Sequence, residues 1–337
     1  MTKRETSPGA AKTERPAPIR DWAMLTGREF AALDKRRCVV FVTCSPLEVH
    51  GPHLPVIADN LESESLFERA LVRLAPLHPE YTFLRLPPIF VATDVVPQVG
   101  SIAFRIETII DVLRDLGHSL CRQGFLDIWV GNFHGGPRHF LAIEQAAHDV
   151  NRRHRARMLS AFSMLARKLT NGTSDASDLL AHIDGLSKAV LRGDNHGGVI
   201  ETSMLLHILG EERLGPGWRE LPTRTVDAYR RERGEIVPDA PVSKRGILGV
   251  IKSYLASMKF YETESYAGSP AAASAEIGGR VLEFLAGSAA ELLSLQLQGK
   301  VSEAETHSPL WPLRHIALSP TFNRALEWLV DHKSQVT

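Results

Sequence analysis

The sequence has few of the features that mark secreted, membrane or nucleic-acid-binding proteins. Three cysteines with no C-x-x-C pair argue against a disulfide framework and favour a reducing compartment. No apolar run approaches the roughly 18 residues that a spanning helix needs, and residues 1–22 lack the apolar stretch of a secretory signal. Lys plus Arg and Asp plus Glu both total 39, so no excess positive charge predicts a nucleic-acid partner. We expect a cytoplasmic protein that binds neither membranes nor nucleic acids.

The chain is long enough for one large domain or two modest ones. Its 337 residues are 44% hydrophobic and 23% charged, an ordinary globular balance. Residues 1–20 are rich in Pro, Ala, Lys and Glu and are predicted to form a disordered tail. We expect a single main domain at 21–297 and a variable C-terminal extension at 298–337.

Strand patterns alternate with helix patterns along the main domain. We predict strands at 38–43, 82–91, 125–130 and 158–162, and helices at 26–35, 61–74, 105–123, 137–151 and 270–295. This alternation predicts an α/β fold with a largely parallel central sheet. In such sheets ligands bind at the carboxyl ends of the strands, on the loops that lead into helices.

Two segments are harder to interpret. Residues 163–193 could be an insertion that shapes a pocket. Residues 243–261 carry lysines and an arginine among apolar residues, which is compatible with a membrane-surface helix. A helix that faces the core or an oligomer partner is favoured, because cationic side chains often flank apolar contact faces.

The loop after the first predicted strand carries Glu48, His50 and Asp59. On an extended chain, residues i and i+2 point the same way, so Glu48 and His50 can share one site. Two carboxylates and an imidazole form a ligand set that suits Zn²⁺, Mn²⁺ or Fe²⁺. The alternative is a polar surface loop without a chemical role.

Two further loops contain His-Gly-Gly. The first places His134, Gly135 and Gly136 between a predicted strand and a helix, and the second places His196 shortly before Glu201. Each loop could also be structural, with His134 in a tight turn and Glu201 stabilising a helix start. Convergence of all three loops in one α/β domain is what a metal site requires.

Other catalytic signatures are absent from the sequence. It has no G-x-S-x-G and no H-E-x-x-H. Cys44 precedes the first loop and could be a nucleophile, but a thiol at the end of a buried strand is more often an inert core residue.

The three loops, in this order, resemble the motifs of the creatininase family. The first reads CSPLEVHGPHLPVIAD over 44–59, the second NFHGGP over 132–137, and the third HGGVIETS over 196–203. The segments 100–104 and 268–278 also resemble stretches of that family. The resemblance extends over about residues 21–295 and implies a three-layer α/β/α fold.

The resemblance also implies a centre of two divalent metal ions, for which Zn²⁺ is the first candidate and Mn²⁺ or Fe²⁺ are the alternatives. By position, Glu48 and His134 would hold one metal, His50 the other, and Asp59 would bridge them. Creatininase has a second-metal Glu where this chain has Gly136, so Glu201 is the proposed replacement. His196 matches a histidine that acts on the substrate as acid or base.

The resemblance further implies a substrate pocket and an oligomer. The positions assigned to the pocket and its surroundings are His53, Asp94, Gly135 and Gly136. Val49, Phe133 and Pro137 replace the family's Gln, Gly and Asn, which argues against creatinine as the substrate. We expect a small-molecule substrate and a homo-oligomer, with a hexamer as one possibility.

We therefore predict a metal-dependent amidohydrolase that cleaves a non-peptide or cyclic amide C–N bond with metal-activated water. Two alternatives remain open. The same metals could serve hydrolysis or isomerisation of a lactone or keto-sugar, or the chain could be a degenerate member that acts as a binding subunit.

Overall fold

A five-stranded parallel sheet lies between two layers of helices in the computed structural model, which describes residues 19–170, 180–240 and 246–329. Its strands run in the spatial order β1-β3-β2-β4-β5. They are β1 (Ile19–Asp21), β2 (Cys38–Thr43), β3 (Thr82–Arg85), β4 (Asp127–Gly131) and β5 (Arg157–Ser160). All four strand pairs are parallel, which confirms the predicted fold class.

Helices make up most of the remaining structure. They are α1 (Gly27–Ala32), α2 (Ala58–Leu74), α3 (Ile106–Arg122), α4 (Pro137–His154), α5 (Ala161–Thr170), α6 (Lys188–Leu191), α7 (Val199–Leu209), α8 (Val226–Glu232), α9 (Gly246–Thr263), α10 (Ala275–Leu297), α11 (Arg314–Ala317) and α12 (Pro320–Leu329). Within the described ranges, none of these helices combines the length and apolar character needed to cross a membrane.

Alternating side chains of the central strand β2 build two separate cores. Val39 and Phe41 pack with residues of α2, α5, α7 and α10 on one face of the sheet. Val40 and Val42 pack with residues of α3 and α4 on the other face. Since successive strand residues point to opposite faces, the unbroken apolar run of β2 is what a strand covered on both sides requires.

The sheet has a topological switch point between β2 and β4. From β2 the chain crosses to β3 on one side, and from β4 it crosses to β5 on the other. The following helices, α2 and α4, cover opposite faces, so the loops after β2 and β4 diverge and leave a crevice at the carboxyl edge. The Cys44 N–H donates to the Gly131 carbonyl at 2.8 Å, which joins the starts of the two loops.

Several element boundaries differ from the predicted ones. Strand β3 ends at Arg85 because Pro87 and Pro88 have no N–H to extend the ladder. Strand β5 ends at Ser160, whose hydroxyl accepts from the Ser163 N–H at 3.2 Å as α5 begins. Helix α2 begins at Ala58, three residues before its predicted start, so Asp59 lies in its first turn.

The ends of the chain also differ in detail. Strand β1 begins at Ile19, inside the segment predicted as a tail; residues 1–18 lie outside the described residues. Part of the C-terminal extension packs on α4 and α5. The Ser308 N–H donates to Glu144 Oε1 at 2.8 Å, and Arg167 Nε donates to the His307 carbonyl at 2.6 Å. The division into domains stays a prediction.

Candidate metal centre

The loop after β2 folds back on itself and brings Glu48, His50 and Asp59 together. The Glu48 N–H donates to the Val56 carbonyl at 2.8 Å, which closes the loop just before α2 begins. Asp59 then projects from the first turn of α2, and all three side chains are at most 1% exposed. The predicted convergence of these residues therefore arises from a closed loop followed by an early helix start.

Glu48, Asp59 and His134 form a first buried cluster. Glu48 Oε2 lies 2.9 Å from His134 Nδ1, and Asp59 Oδ2 lies 3.9 Å from the same nitrogen. His134 comes from the loop after β4, across the switch point from Glu48. The candidate ligand atoms of the three residues all lie within 4.8 Å of one another.

His50, Asp59 and Glu201 form a second cluster beside the first. His50 Nε2 lies 3.5 Å from Asp59 Oδ1 and 3.7 Å from Glu201 Oε2. Asp59 thus directs one carboxylate oxygen to each cluster. Glu201 reaches this point from the first turn of α7, where it also accepts the Gly197 N–H.

The hydrogen bonds around these clusters fit cation ligands. His50 Nε2 and Asp59 Oδ2 are buried and have no hydrogen-bond partner among the described residues, and Glu48 Oε2 faces His134 Nδ1 of the same cluster. The outer nitrogen of each imidazole lies within hydrogen-bond distance of a backbone carbonyl oxygen. His50 Nδ1 is 3.0 Å from the backbone oxygen of Glu48, and His134 Nε2 is 3.0 Å from the backbone oxygen of Thr93. These carbonyls accept N–H bonds, so in the neutral imidazole the inward nitrogen is the one that carries the lone pair, as metal-binding histidines require. A set of imidazoles and carboxylates suits a borderline or hard divalent cation.

The electrostatics of the clusters agree with this fit. Burial opposes protonation of His134, but the Glu48 carboxylate outweighs it and raises the His134 pKa to about 9. Burial likewise opposes protonation of His50, and Asp59 and Glu201 raise its pKa well above the ordinary value. Burial raises the pKa of Glu201 to about 7. Without a cation the clusters therefore hold extra protons, and cation binding would displace them.

His196 lies beside the second cluster on the third glycine-containing loop. Its ring stacks on His50 with centroids 4.0 Å apart, and its Nε2 lies 2.8 Å from the Val49 carbonyl. Burial, reinforced by the charge of His50, lowers the pKa of His196 to about 4. Its Nδ1 therefore carries a lone pair at neutral pH. His196 also lies within cation-sharing distance of Glu48 and His50.

Asp194 holds this third loop in place. Its Oδ1 accepts the Val199 N–H at 2.6 Å and its Oδ2 accepts the Ile200 N–H at 3.2 Å, so it caps the start of α7. The cap fixes the direction of the first turn of α7. Glu201 is in that turn, and its position depends on this cap.

A cavity of about 310 Å³ opens onto the clusters. Among the residues assigned to the pocket from sequence, Asp94, Gly135 and Gly136 line it. His53 does not line it and lies among the surroundings of the pocket, which the assignment from sequence also included. It is 2% exposed, and its Nε2 lies 2.9 Å from Thr202 Oγ1 on α7, one layer behind the cavity.

Asp94 organises the start of α4 beside the cavity. Its carboxylate accepts the Arg138 backbone N–H at 2.7 Å and pairs with the Arg138 guanidinium. Asp94 has a φ of 62°, which is uncommon for a residue other than glycine. Strain of this kind is typical of positions over-determined by their surroundings, often at functional sites.

Gly136 leaves no room for the carboxylate that creatininase is expected to carry there. A Cβ at Gly136 would lie 2.4 Å from His134 Nε2 and 2.7 Å from the Asp94 Cβ. Of the three replaced motif positions, only Pro137 lines the cavity. Phe133 packs against a hydrophobic core, and Val49 lies near Gly100, so these two changes lie outside the pocket lining.

Part of the cavity lining comes from α9, a helix that was not assigned to the site from the sequence. Tyr254, Ser257, Met258 and Tyr261 line the cavity. They follow the spacing i, i+3, i+4 and i+7, which marks one face of a helix and was available in the sequence. One face of this helix therefore lines the cavity, a role that the expectation of a helix facing the core or an oligomer partner did not include; residues 243–245 lie outside the described residues.

No described residue between 163 and 193 lines the cavity, so the expected pocket-shaping insertion is not seen there. Helix α5 instead packs into the core through Met164 and Leu165. Residues 171–179 lie outside the described residues.

Comparison with known proteins identifies the family. The family model described as "Creatininase: Creatinine amidohydrolase" matches residues 23–293. The chain belongs to the creatininase family. No curated protein sequence matches the chain.

Solved structures of creatininase share the fold. A structure named "Creatininase Mn" is 17% identical, covers 82% of this chain and 98% of its own, and has a TM-score of 0.57. A mutant creatininase of "Zn-Zn type" is 16% identical, covers 83% and 97%, and has a TM-score of 0.54. At these identities the likeness shows that the fold is that of creatininase.

Proposed function

We propose that this creatininase-family member is a metal-dependent amidohydrolase that cleaves a cyclic or other non-peptide amide C–N bond. Glu48 and His134 would hold one divalent cation, His50 and Glu201 the other, and Asp59 would bridge them. The observation that carries the proposal is the pair of adjacent buried clusters that share Asp59. Zn²⁺ is the first candidate, with Mn²⁺ or Fe²⁺ as alternatives.

A pair of divalent cations supplies an activated water molecule at neutral pH and polarises the carbonyl group to be attacked. The chain's own contribution is to fix the ligands. The Glu48 and Thr93 carbonyls set the tautomers of His50 and His134, so that neither ring has to reorient when a cation binds. The Val96 N–H donates to Glu48 Oε1 and leaves Oε2 directed at His134.

His196 is the proposed proton carrier. Its neutral Nδ1 can accept a proton during attack and return it to the leaving nitrogen, while Nε2 stays bonded to the Val49 carbonyl. Stacking on His50 holds the ring at the edge of the ligand clusters. The histidine is also at the cavity surface, where a substrate would contact it.

The cavity supports a small-molecule substrate. Its volume of about 310 Å³ is at the lower end of the range of about 300–1,000 Å³ for ligand pockets. Carboxylates of the clusters line it, and so do Tyr254, Met258 and Tyr261, which form an amphipathic wall. Such a wall provides contact for a compact ring, while the clusters provide the reacting end.

The proposal is tested by a substrate screen with purified protein loaded with Zn²⁺ or Mn²⁺. Small lactams, cyclic ureides and formamides are offered beside lactones and keto-sugars; newly formed amine or acid is measured for the hydrolyses, and the isomerised sugar is measured for the keto-sugars. We expect turnover of at least one amide, lost in His196→Ala. Turnover of lactones or keto-sugars without any amide, or of no compound at all, would contradict the amidohydrolase assignment.

Cys44→Ala provides a control for the thiol alternative. Burial raises the pKa of Cys44 to about 12, and its Sγ lies 3.4 Å from the Val91 carbonyl, which disfavours the thiolate that a nucleophile would need at neutral pH. We expect this variant to retain wild-type turnover. A homo-oligomer, with a hexamer as one possibility, remains a prediction that light scattering of the same preparation would test.

A further inference from the structure

Glu62 is a buried carboxyl group with no partner in the surroundings that the structure describes. It lies on α2 one turn after Asp59 and is 0% exposed. Neither of its carboxyl oxygens has a hydrogen-bond partner among the described residues. Buried polar groups are nearly always bonded, because desolvation without compensation is costly. The fold alone therefore does not account for a glutamate here.

The position of Glu62 relates it to the second cluster. Residues i and i+3 share one face of a helix, so Glu62 and Asp59 are neighbours on α2. Helix α2 packs against α7, which carries Glu201. Burial, followed by the charges of Glu201 and Asp59, raises the pKa of Glu62 well above its ordinary value. The helix register, the packing of α2 on α7 and this electrostatic influence place a third carboxyl group near Asp59 and Glu201, the pair that would face the second cation.

A purely structural role would be better served by another residue. The same stripe of α2 buries Leu66 and Ala70, and an apolar side chain at position 62 would pack there without a desolvation cost. Within the part of the chain that the structure describes, Glu62 has no bonded neighbour that it holds in place. What remains is a role that uses its charge.

We propose that Glu62 is an outer carboxyl group of the second cation site, where it stabilises the cation that His50, Asp59 and Glu201 would hold. This inference rests on the proposed function, since it presupposes a cation at that site. Glu62 is not in the groups whose atoms lie within ligand distance, so it acts from outside the coordination sphere. A bound cation is the largest local charge in such a site and favours nearby carboxylates. Gly136 stands where creatininase is expected to carry a carboxylate and supplies no charge to the second cation site. Glu62 would add negative charge near that site.

The test is calorimetric titration of Zn²⁺ or Mn²⁺ into metal-free protein, with melting temperatures measured before and after. In Glu62→Gln we expect the first molar equivalent of the cation to bind as in wild type. The second equivalent should bind about 10–100-fold more weakly, the usual effect of losing an outer-sphere partner of a metal site. Metal-free Glu62→Met should melt at or above the wild-type temperature, because a costly buried polar group is gone, and metal-free Glu62→Gln should melt close to wild type.

Glu144→Gln is the matched control. Glu144 is also a fully buried glutamate with an unpartnered oxygen, but it bonds Ser308 of the C-terminal extension. Both equivalents should bind to this variant as to wild type.

Two results would overturn the inference. Wild-type affinity for both equivalents in Glu62→Gln would do so, as would metal-free Glu62→Gln and Glu62→Met that fold poorly, since that outcome indicates a structural role. If wild-type protein itself takes up no cation, the proposed function fails together with this inference. Normal two-cation binding by wild type and by Glu62→Gln leaves the proposed function standing and removes Glu62 alone.

Discussion

The two adjacent glycines of the second loop should respond in opposite ways to the same small change. Gly136→Ala would place a methyl group 2.4 Å from His134 Nε2 and 2.7 Å from the Asp94 Cβ. Gly135→Ala would place one where no atom lies within 4 Å. Neither Gly135 nor Gly136 has a positive φ, so alanine does not meet the strain of a left-handed backbone at either position. The comparison therefore isolates crowding of the candidate metal ligand.

The size of the effect follows from these distances. Carbon atoms in contact prefer a separation of about 3.5 Å or more, so His134 or the loop must shift by about 1 Å. His134 cannot rotate away cheaply, because Thr93 bonds its Nε2 at 3.0 Å and the ring is 5% exposed. A 1 Å misplacement of a catalytic group can cost about 100-fold in rate, and overpacking costs about 1–3 kcal/mol of stability.

The assay is cation affinity of both variants, measured by competition with a chromophoric chelator, together with thermal melting. We expect Gly136→Ala to bind the first equivalent at least 10-fold more weakly than wild type and Gly135→Ala to match wild type. Equal affinities in the two variants would show that His134 is not a ligand, and the reasoning from the Gly136 contacts would be refuted.

Two further predictions concern the ligand clusters. Glu201→Gln keeps the side-chain shape and removes the charge, so metal analysis should find one cation per chain, the one held by Glu48 and His134; two retained cations would exclude Glu201 as a ligand. Because Glu48 holds the pKa of His134 at about 9, above the ordinary 6.5, the stabilising contribution of His134 is complete below about pH 6.5 and is lost as pH rises to about 9. Melting in chelator should therefore shift to lower temperature across this window, and added Zn²⁺ should reverse the trend, because ligand protons oppose cation binding. A flat profile in chelator would contradict the His134–Glu48 pairing.

The sheet was predictable because its signals are local. The run Cys38–Thr43 is continuously apolar and β-branched, and the structure confirms it as the buried central strand. Pro137 was predicted as the first residue of a helix and begins α4. Boundaries were less predictable where polar residues take part in tertiary contacts. The sequence predicts Asp59 in a loop, but Asp59 lies in the first turn of α2, because the preceding loop closes through the hydrogen bond from Glu48 to Val56.

The candidate site also contains residues that could be predicted from the sequence and residues that could not. The motifs pointed to Glu48, His50, Asp59, His134 and Glu201, which the structure brings together, although their roles as ligands remain predictions. The position of His53 could not be read from the motif, because its orientation depends on a contact with Thr202, about 150 residues away. Glu62 gave no signal either, since a glutamate in an amphipathic helix ordinarily faces solvent and only its burial makes it unusual.

The metal content of the purified native protein, prepared without chelator, tests the central claim most directly. We predict close to two transition-metal ions per chain in wild type. In Asp59→Ala we predict loss of both, because this carboxylate directs one oxygen to each cluster. Added Zn²⁺ or Mn²⁺ should raise the melting temperature of stripped wild-type protein by mass action. Protein that contains no metal and gains no stability from either cation would contradict the account.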